Sequence, residues 1–434
     1  MPAPSGSPRT ARRADLVVVG AGPAGCAAAL TGARAGLDVV LVDKSRFPRD
    51  KCCGDGLTTG ALRRLESLGL SPRDVASFHA VDDLFIRSPS GRILTVPLAT
   101  PRAPGVRAAV ARRIDLDAAL LTLARRAGAT VLEGSAAVRL EPVRGQGACG
   151  ALQVGLEGGE ALEAGIVVAA DGAWSPLRRL AGALEKGSPA AARTGGRREW
   201  HAFRTYARDV AELAAGHLWV AFPPAVLPGY LWSFPLSDGR ANVGLCLERT
   251  AGRKGADLRA AWHEALTSPF LSALLGRRAV LEAPGRSWPI PAGVFDAPLS
   301  ACGGRVLFAG DAARGADPFT GEGVGQALEM GIAAGRAVAT HVGSPPAAAA
   351  AYASEIARTL RIDHRIALAA RALFSRPLGA RAALFGTGLS PGIGRRVGRF
   401  LYEDHPRALV VTPWRWRPGL TAAPAPFSGD APRA

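Results

Sequence analysis

The chain of 434 residues carries 53 basic and 36 acidic side chains, a net charge of +17, with 48% hydrophobic and 21% charged residues. That apolar content excludes a wholly disordered polymer, and 53 glycines and 33 prolines without a three-residue repeat exclude a collagen-like fibre. Six cysteines without C-x-x-C spacing exclude a disulfide scaffold and point to a reducing, cytoplasmic compartment, and no run approaches the ~20 apolar residues of a membrane-spanning helix.

Residues 1–13 read as a loose basic tail. Arg12-Arg13 precedes an apolar stretch, as in a twin-arginine export signal, but the glycines that follow belong to a strand-to-helix turn instead. Asp15-Leu-Val-Val-Val-Gly20 is a β-branched run suited to a buried parallel strand. A helix is expected from Pro23 to Ala35, stopped by Gly36, and a second strand over Leu37–Asp43. Gly20-Ala-Gly22-Pro-Ala24-Gly25 thus places G-x-G-x-x-G between strand and helix. The first glycine permits the tight turn, the second admits a pyrophosphate, and the third lets helix and strand pack closely. Asp43, at the end of the second strand, is suited to ribose hydroxyls, and Ala24 and Lys44 complete the expected contacts.

Further helices are expected over Thr58–Leu68 and Leu116–Ala127, and further strands over Thr130–Glu133, Ile166–Ala170 and Arg305–Ala309. Residues 187–286 alternate in short aromatic segments such as His217–Phe222 and Ala241–Leu247, the pattern of an antiparallel sheet with one covered face. Pro345-Pro346 followed by five alanines reads as a junction before a helical, Arg/Ala-rich C-terminal region. Arginine doublets (Arg63-Arg64, Arg112-Arg113, Arg125-Arg126, Arg178-Arg179, Arg395-Arg396) are scattered and not interleaved with aromatics, so no nucleic-acid partner is expected. They fit a solvated surface, or attraction to anionic headgroups at about 1 kcal/mol per basic side chain.

The glycine fingerprint alone leaves NAD and FAD open. Asp171-Gly172 at a strand end and Gly310-Asp311 followed by Asp317-Pro-Phe-Thr-Gly321-Glu-Gly323 narrow the choice. With them the chain resembles the FAD-dependent oxidoreductases of the p-hydroxybenzoate-hydroxylase-like fold. The resemblance implies that Asp311 takes the ribityl chain and that Gly321 and Gly323 approach the isoalloxazine. It also implies that Asp171, Gly172 and Arg113 lie near the cofactor, with Arg112 competing for the arginine's place.

Lys51-Cys52-Cys53-Gly54-Asp55-Gly56 resembles the K-x-C-G-[DG]-G loop of geranylgeranyl reductases, and Tyr230-Leu-Trp232-Ser-Phe234-Pro235 their Y-x-W-x-F-P motif. The likeness runs from about Asp15 to Gly331. It implies an α/β fold in which a Rossmann-type FAD-binding domain (14–78, 103–186, 287–345) is interleaved with an antiparallel-sheet substrate domain (79–102, 187–286), followed by a helical region (346–434). The implied activity is reduction of carbon–carbon double bonds in a polyprenyl chain. An isolated double bond offers no carbonyl to polarise, so protonation at one carbon and hydride delivery to the other are required. Cys53 is the expected proton donor or positioning group, and Gly54, Asp55 and Gly56 are expected to lie against the flavin. Tyr230, Trp232 and Phe234 share a strand face and would border an apolar tunnel, their rings stabilising developing cation by about 0.5–2 kcal/mol each.

The alternative is an aromatic monooxygenase or halogenase on the same scaffold, since Trp288-Pro-Ile290-Pro291 resembles the W-x-I-P signature of flavin-dependent halogenases without its preceding G-W. Gly388-Leu-Ser390-Pro-Gly392 fits the G-x-S-x-G elbow, but Pro391 has no N–H for an oxyanion hole, so it is read as a turn. Seven scattered histidines give no metal-ligand spacing. No second glycine fingerprint is evident, so the electron donor is NAD(P)H visiting transiently or a redox protein. The basic C-terminal region is compatible with peripheral contact at the inner face of a membrane.

Overall fold

The structure of the protein, a computed structural model, describes residues 11–98, 105–143, 151–185, 199–249, 255–282, 285–388, 391–402 and 425–429. Its first sheet runs Ser300–Ala301, Val306–Phe308, Ala161–Ala169, Arg12–Val19, Val39–Asp43, Thr130–Glu133, with Leu152–Leu156 and Ala137–Pro142 added beside Ala161–Ala169. The pairings from Val306–Phe308 through Thr130–Glu133 are parallel. Leu16, Val17 and Val18 are fully buried, as a strand covered on both faces requires. The first strand begins at Arg12, two residues inside the segment expected to be tail. Residues 1–10 lie outside the described residues.

The helix Pro23–Arg34 crosses the long helix Val324–Thr340 at backbone contact. A Cβ on Gly331 would stand 2.2 Å from the Ala24 carbonyl oxygen, and one on Gly335 2.7 Å from that of Ala28. These small residues bring two helix N-termini, at Gly22 and at Gly323, to one cavity.

The second sheet runs Val280–Leu281, Glu199–Arg208, Ala241–Arg249, Tyr230–Pro235, Leu218–Ala221, Asp83–Arg87, Ile93–Pro97. It is antiparallel as expected except where Leu218–Ala221 pairs parallel with Asp83–Arg87. Arg286–Pro291 pairs with Glu199–Arg208, so this layer extends past residue 286. In register, Tyr230 faces Cys246, Trp232 faces Gly244 and Phe234 faces Asn242.

Among the described residues, four helices follow the long helix Val324–Thr340: Pro345–Arg358, Leu360–Phe374, Pro377–Thr387 and Pro391–Leu401. The segment read as a junction is the start of the first of these. Its prolines occupy the opening turn, where the missing N–H has no helical partner to lose, and the alanines continue it. Pro391 likewise opens a helix; Leu389 and Ser390 lie outside the described residues, as do residues 403–424. Phe374 packs on Phe222 and Phe319 with ring centroids 5.2 and 5.0 Å away, fastening the helices to the second sheet. Among the described residues no helix is long and apolar enough to cross a membrane.

Candidate active site

A cavity of about 720 Å³ opens between the two sheets, within the range of cofactor sites. Its nucleotide end is made by the first turn. Gly20 has φ +101°, and a Cβ there would stand 2.3 Å from the Ala170 carbonyl oxygen, so only glycine fits. The helix beginning at Pro23 has no side-chain cap, leaving its first N–H groups aimed at the cavity. Asp43 accepts from the Ala21 N–H (2.7 Å) and the Ser45 N–H (2.8 Å), which fixes the turn and leaves lone pairs for ribose hydroxyls. Lys44 is exposed at the rim.

Arg113 lines the cavity, and its guanidinium forks onto Asp117 at 2.8 and 2.7 Å. Arg112 turns away to Asp115, so of the two candidates Arg113 is the one at the site. Asp117 also takes Arg49 at 2.9 Å. Arg49 and Lys51 were not among the expected site residues; Lys51 lies 3.6 Å from Asp311 and 5.0 Å from the Trp288 ring centroid. The only sequence signal for Lys51 was its place at the head of the cysteine loop.

Asp171 and Gly172 both line the cavity, but the Asp171 carboxylate accepts from Ser175 Oγ (2.6 Å) and the Leu177 N–H (2.9 Å). These bonds tie the carboxylate to the start of the helix Pro176–Leu184 while Asp171 stays in the cavity lining. Asp311, Gly321 and Gly323 converge from the other side, at the N-terminus of Val324–Thr340, whose N-cap Gly323 offers no side chain. Gly321, at φ +70°, sits where a Cβ would be 3.8 Å from the Tyr230 hydroxyl.

The loop Lys51–Gly56 crosses between these parts. Gly54 and Gly56 turn their bare faces toward aromatic rings: a Cβ on Gly54 would lie 3.3 Å from Trp232, and one on Gly56 3.0 Å from Phe234. Their glycine character is therefore explained by packing on the aromatic strand, on a side the sequence reading did not foresee. Tyr230, Trp232 and Phe234 do share one face, with successive ring centroids 6.0 and 6.2 Å apart. Trp232 lines the cavity but is only 4% exposed, its ring packed against Gly244 and Gly54. Tyr230 donates its hydroxyl hydrogen to the Thr320 carbonyl, and burial pushes that phenol well above its ordinary value. Beyond these rings the wall is apolar, built from Ile86, Phe222, Phe319, Leu401 and Tyr402.

Cys52 and Cys53 are free thiols. Burial raises the Cys53 thiol, against the pull of Arg113, so it is protonated at neutral pH. Asp55 is 1% exposed and held at φ +63°. Burial pushes its carboxyl up to about 6, against hydrogen bonds from Tyr206 and Asn242, the charge of Arg204 and the Arg113 N–H. A raised acid favours the folded state below its unfolded value near 4, and that advantage is lost as pH climbs through about 6. Ionised Asp55 therefore costs the fold about 3 kcal/mol relative to its protonated form. Asp55→Asn, neutral throughout, is expected to gain stability relative to the parent as pH rises from 4 to 8, read from thermal midpoints. Parallel curves for the two proteins refute this.

A glycine turn closed to a Cβ at Gly20 and Gly25, an uncapped helix N-terminus, an acid at the second strand end and a second glycine-capped helix make the groups of a flavin dinucleotide fit this cavity. The fold and site are those of an FAD-dependent oxidoreductase. Residues 13–358 match the family model described as FAD binding domain. The chain is 33% identical over 338 residues to menaquinone reductase of Mycolicibacterium smegmatis, covering 74% of this chain and 75% of that protein. It is 32% identical over 333 residues to digeranylgeranylglycerophospholipid reductase 2 of Methanopyrus kandleri, covering 75% and 76%. A geranylgeranyl bacteriochlorophyll reductase-like protein from Thermoplasma acidophilum shares the fold, with TM-score 0.71, 21% identity and coverage of 95% and 98%. The chain belongs to the geranylgeranyl reductase family of FAD-dependent enzymes, and its cofactor is FAD.

Proposed function

We propose that this enzyme saturates carbon–carbon double bonds in the isoprenoid chain of a quinone, with Cys53 as proton donor. The observation that carries the reading is one cavity uniting a dinucleotide cradle, a half-buried protonated thiol and an apolar aromatic arm. The relatives named menaquinone reductase support a quinone over a glycerolipid. FAD, held by Gly20, Gly22, Asp43, Arg113 and Asp311, supplies hydride when bound. The chain's own residues do the rest. Tyr230, Phe222 and Phe319 exclude water and line the prenyl chain. Cys53 holds a proton on Sγ, and the thiolate left after its transfer faces the Arg113 guanidinium. Reducing equivalents enter from NAD(P)H or a redox protein.

The test is anaerobic incubation of chemically reduced enzyme with a prenylated quinone and, separately, a geranylgeranylated glycerophospholipid, with mass spectrometry of the products. Two added hydrogens per bond on the quinone are expected; a product that forms only with oxygen overturns the reading in favour of a monooxygenase.

The substrate is taken from a membrane surface. Leu378 (77% exposed) and Phe385 (59%) lie at i and i+7 on the helix Pro377–Thr387, with exposed Arg381 between them. Between Leu360 and Leu401 there are eight arginines and one acid, Asp363. Apolar anchors flanked by cations suit an anionic bilayer. Co-sedimentation with phosphatidylserine vesicles at low salt is expected, falling at high salt and falling several-fold in the double variant Leu378→Glu, Phe385→Glu. Equal binding by parent and variant counts against this face.

A further inference from the structure

One side-chain amide touches both walls of the reaction site. Asn242, fully buried on the strand Ala241–Arg249, donates through Nδ2 to the Cys53 carbonyl (2.9 Å) and to Asp55 Oδ2 (2.7 Å). Its Oδ1 accepts from Trp232 Nε1 at 3.0 Å. Those partners fix the amide's orientation: a carbonyl and a carboxylate can only accept, and an indole N–H can only donate. Asn242 therefore has both donor hydrogens and its acceptor committed, one side to the cysteine loop and the other to the aromatic strand.

Asp55 completes the arrangement. Besides Asn242, it accepts from the Tyr206 hydroxyl (2.8 Å, on Oδ2) and from the Arg113 N–H (3.2 Å, on Oδ1). Three donors converging on one buried carboxyl are met only by an acceptor-only group, which is why a carboxylate persists where it is expensive. The loop is tied down a second time where Arg204 donates to Asp50 (2.8 Å) and to the Lys51 carbonyl (3.2 Å). Loop backbone in a left-handed conformation at Asp55 is thereby held against the second sheet, and the carboxyl itself faces the strand side.

We propose that Asn242, anchored by Asp55, is a positioning residue that sets Cys53 and the Trp232 ring in register with each other across the cavity. It acts through these two groups and does not touch the reacting atoms. Leucine shares the branched shape of the amide but has neither donor nor acceptor, so it releases the tie, with two bulkier methyl groups in its place. Aspartate keeps the acceptor toward Trp232 but sets a second carboxyl against Asp55, and two such neighbours retain one shared proton to a raised pH. The groups facing Asp55 are Tyr206 and Arg204 from one strand, Arg113 from a helix and Cys53 from its own loop; none of them can supply the missing hydrogen in the way a shared carboxyl proton does.

The inference rests on the reading of Cys53 and Trp232 as site residues, so its test includes a measurement independent of turnover. In FAD-loaded protein carrying Cys52→Ser, Cys53 alkylation by iodoacetamide is followed by mass spectrometry of the loop peptide. Asn242→Leu is expected to accelerate it about fivefold or more, while kcat falls about tenfold or more and KM moves less than threefold. Asn242→Asp is expected to be inactive at alkaline pH and to regain activity as the medium is acidified, a rescue that a merely structural lesion does not show. Unchanged Cys53 labelling in Asn242→Leu overturns the proposal. If that variant does not accumulate, a pH profile of Asn242→Asp parallel to the parent overturns it instead. Faster labelling in Asn242→Leu alongside full activity in Cys53→Ala retires the proton-donor role and keeps the tether.

Discussion

Cys53→Ala is expected to purify with full flavin content and to lose about a hundredfold or more of its turnover, the scale on which a positioned general acid contributes. The thiol sits on the loop Lys51–Gly56, and burial keeps it protonated at neutral pH. A proton donor must also tolerate its own conjugate base. Arg113, held by its fork on Asp117, stands beside Cys53 to meet that negative charge. Cys53→Ser retains an O–H of far weaker acidity and should recover little. The measurement is anaerobic single-turnover reoxidation of the reduced enzyme by substrate. An unaltered rate in Cys53→Ala assigns the proton to another group.

A larger loss is expected at the nucleotide turn. A Cβ on Gly25 would stand 1.7 Å from the Gly20 carbonyl oxygen and 3.3 Å from Val18. No side-chain motion relieves a collision with backbone, so Gly25→Ala must open the turn that aims the helix N–H groups. Overpacking of this kind costs about 1–3 kcal/mol in stability alone. The variant is expected to purify colourless, with a lowered thermal midpoint that added FAD does not restore. The ratio of flavin to protein absorbance checks it, and stoichiometric flavin in Gly25→Ala defeats the steric account.

The parts of this molecule that obey local rules were legible in the sequence. The run Leu16–Val19, the turn Gly20–Gly25 and the acid Asp43 declare a βαβ unit because each residue's job is set by its immediate neighbours. The aromatic alternation of Tyr230–Pro235 declares a strand for the same reason. What could not be read is long-range. Gly54 and Gly56 face rings almost two hundred positions later, and nothing in their own segment reveals that side. Asn242 precedes the apolar run Val243–Leu247, and its importance lies in partners from 53, 55 and 232. Asp171 lines the cavity as its strand-end position suggests, but that position does not announce its bonds to Ser175 Oγ and the Leu177 N–H at the start of its own helix. Pro345-Pro346 does open the C-terminal helical region, but because proline marks both junctions and helix openings, only the alanines behind it show that the segment is itself the first turn of a helix.

The crossing of Pro23–Arg34 over Val324–Thr340 also has a bearing on biosynthesis. The two halves of the grip are separated by some three hundred positions of chain, yet Gly331 rests directly on Ala24. During translation the amino-terminal turn emerges early and must wait with its partner surface uncovered until the segment around Gly331 has left the ribosome. Coenzyme capture thus belongs to the end of synthesis, and a nascent chain arrested before that point holds an exposed alanine-rich face for chaperones to shield.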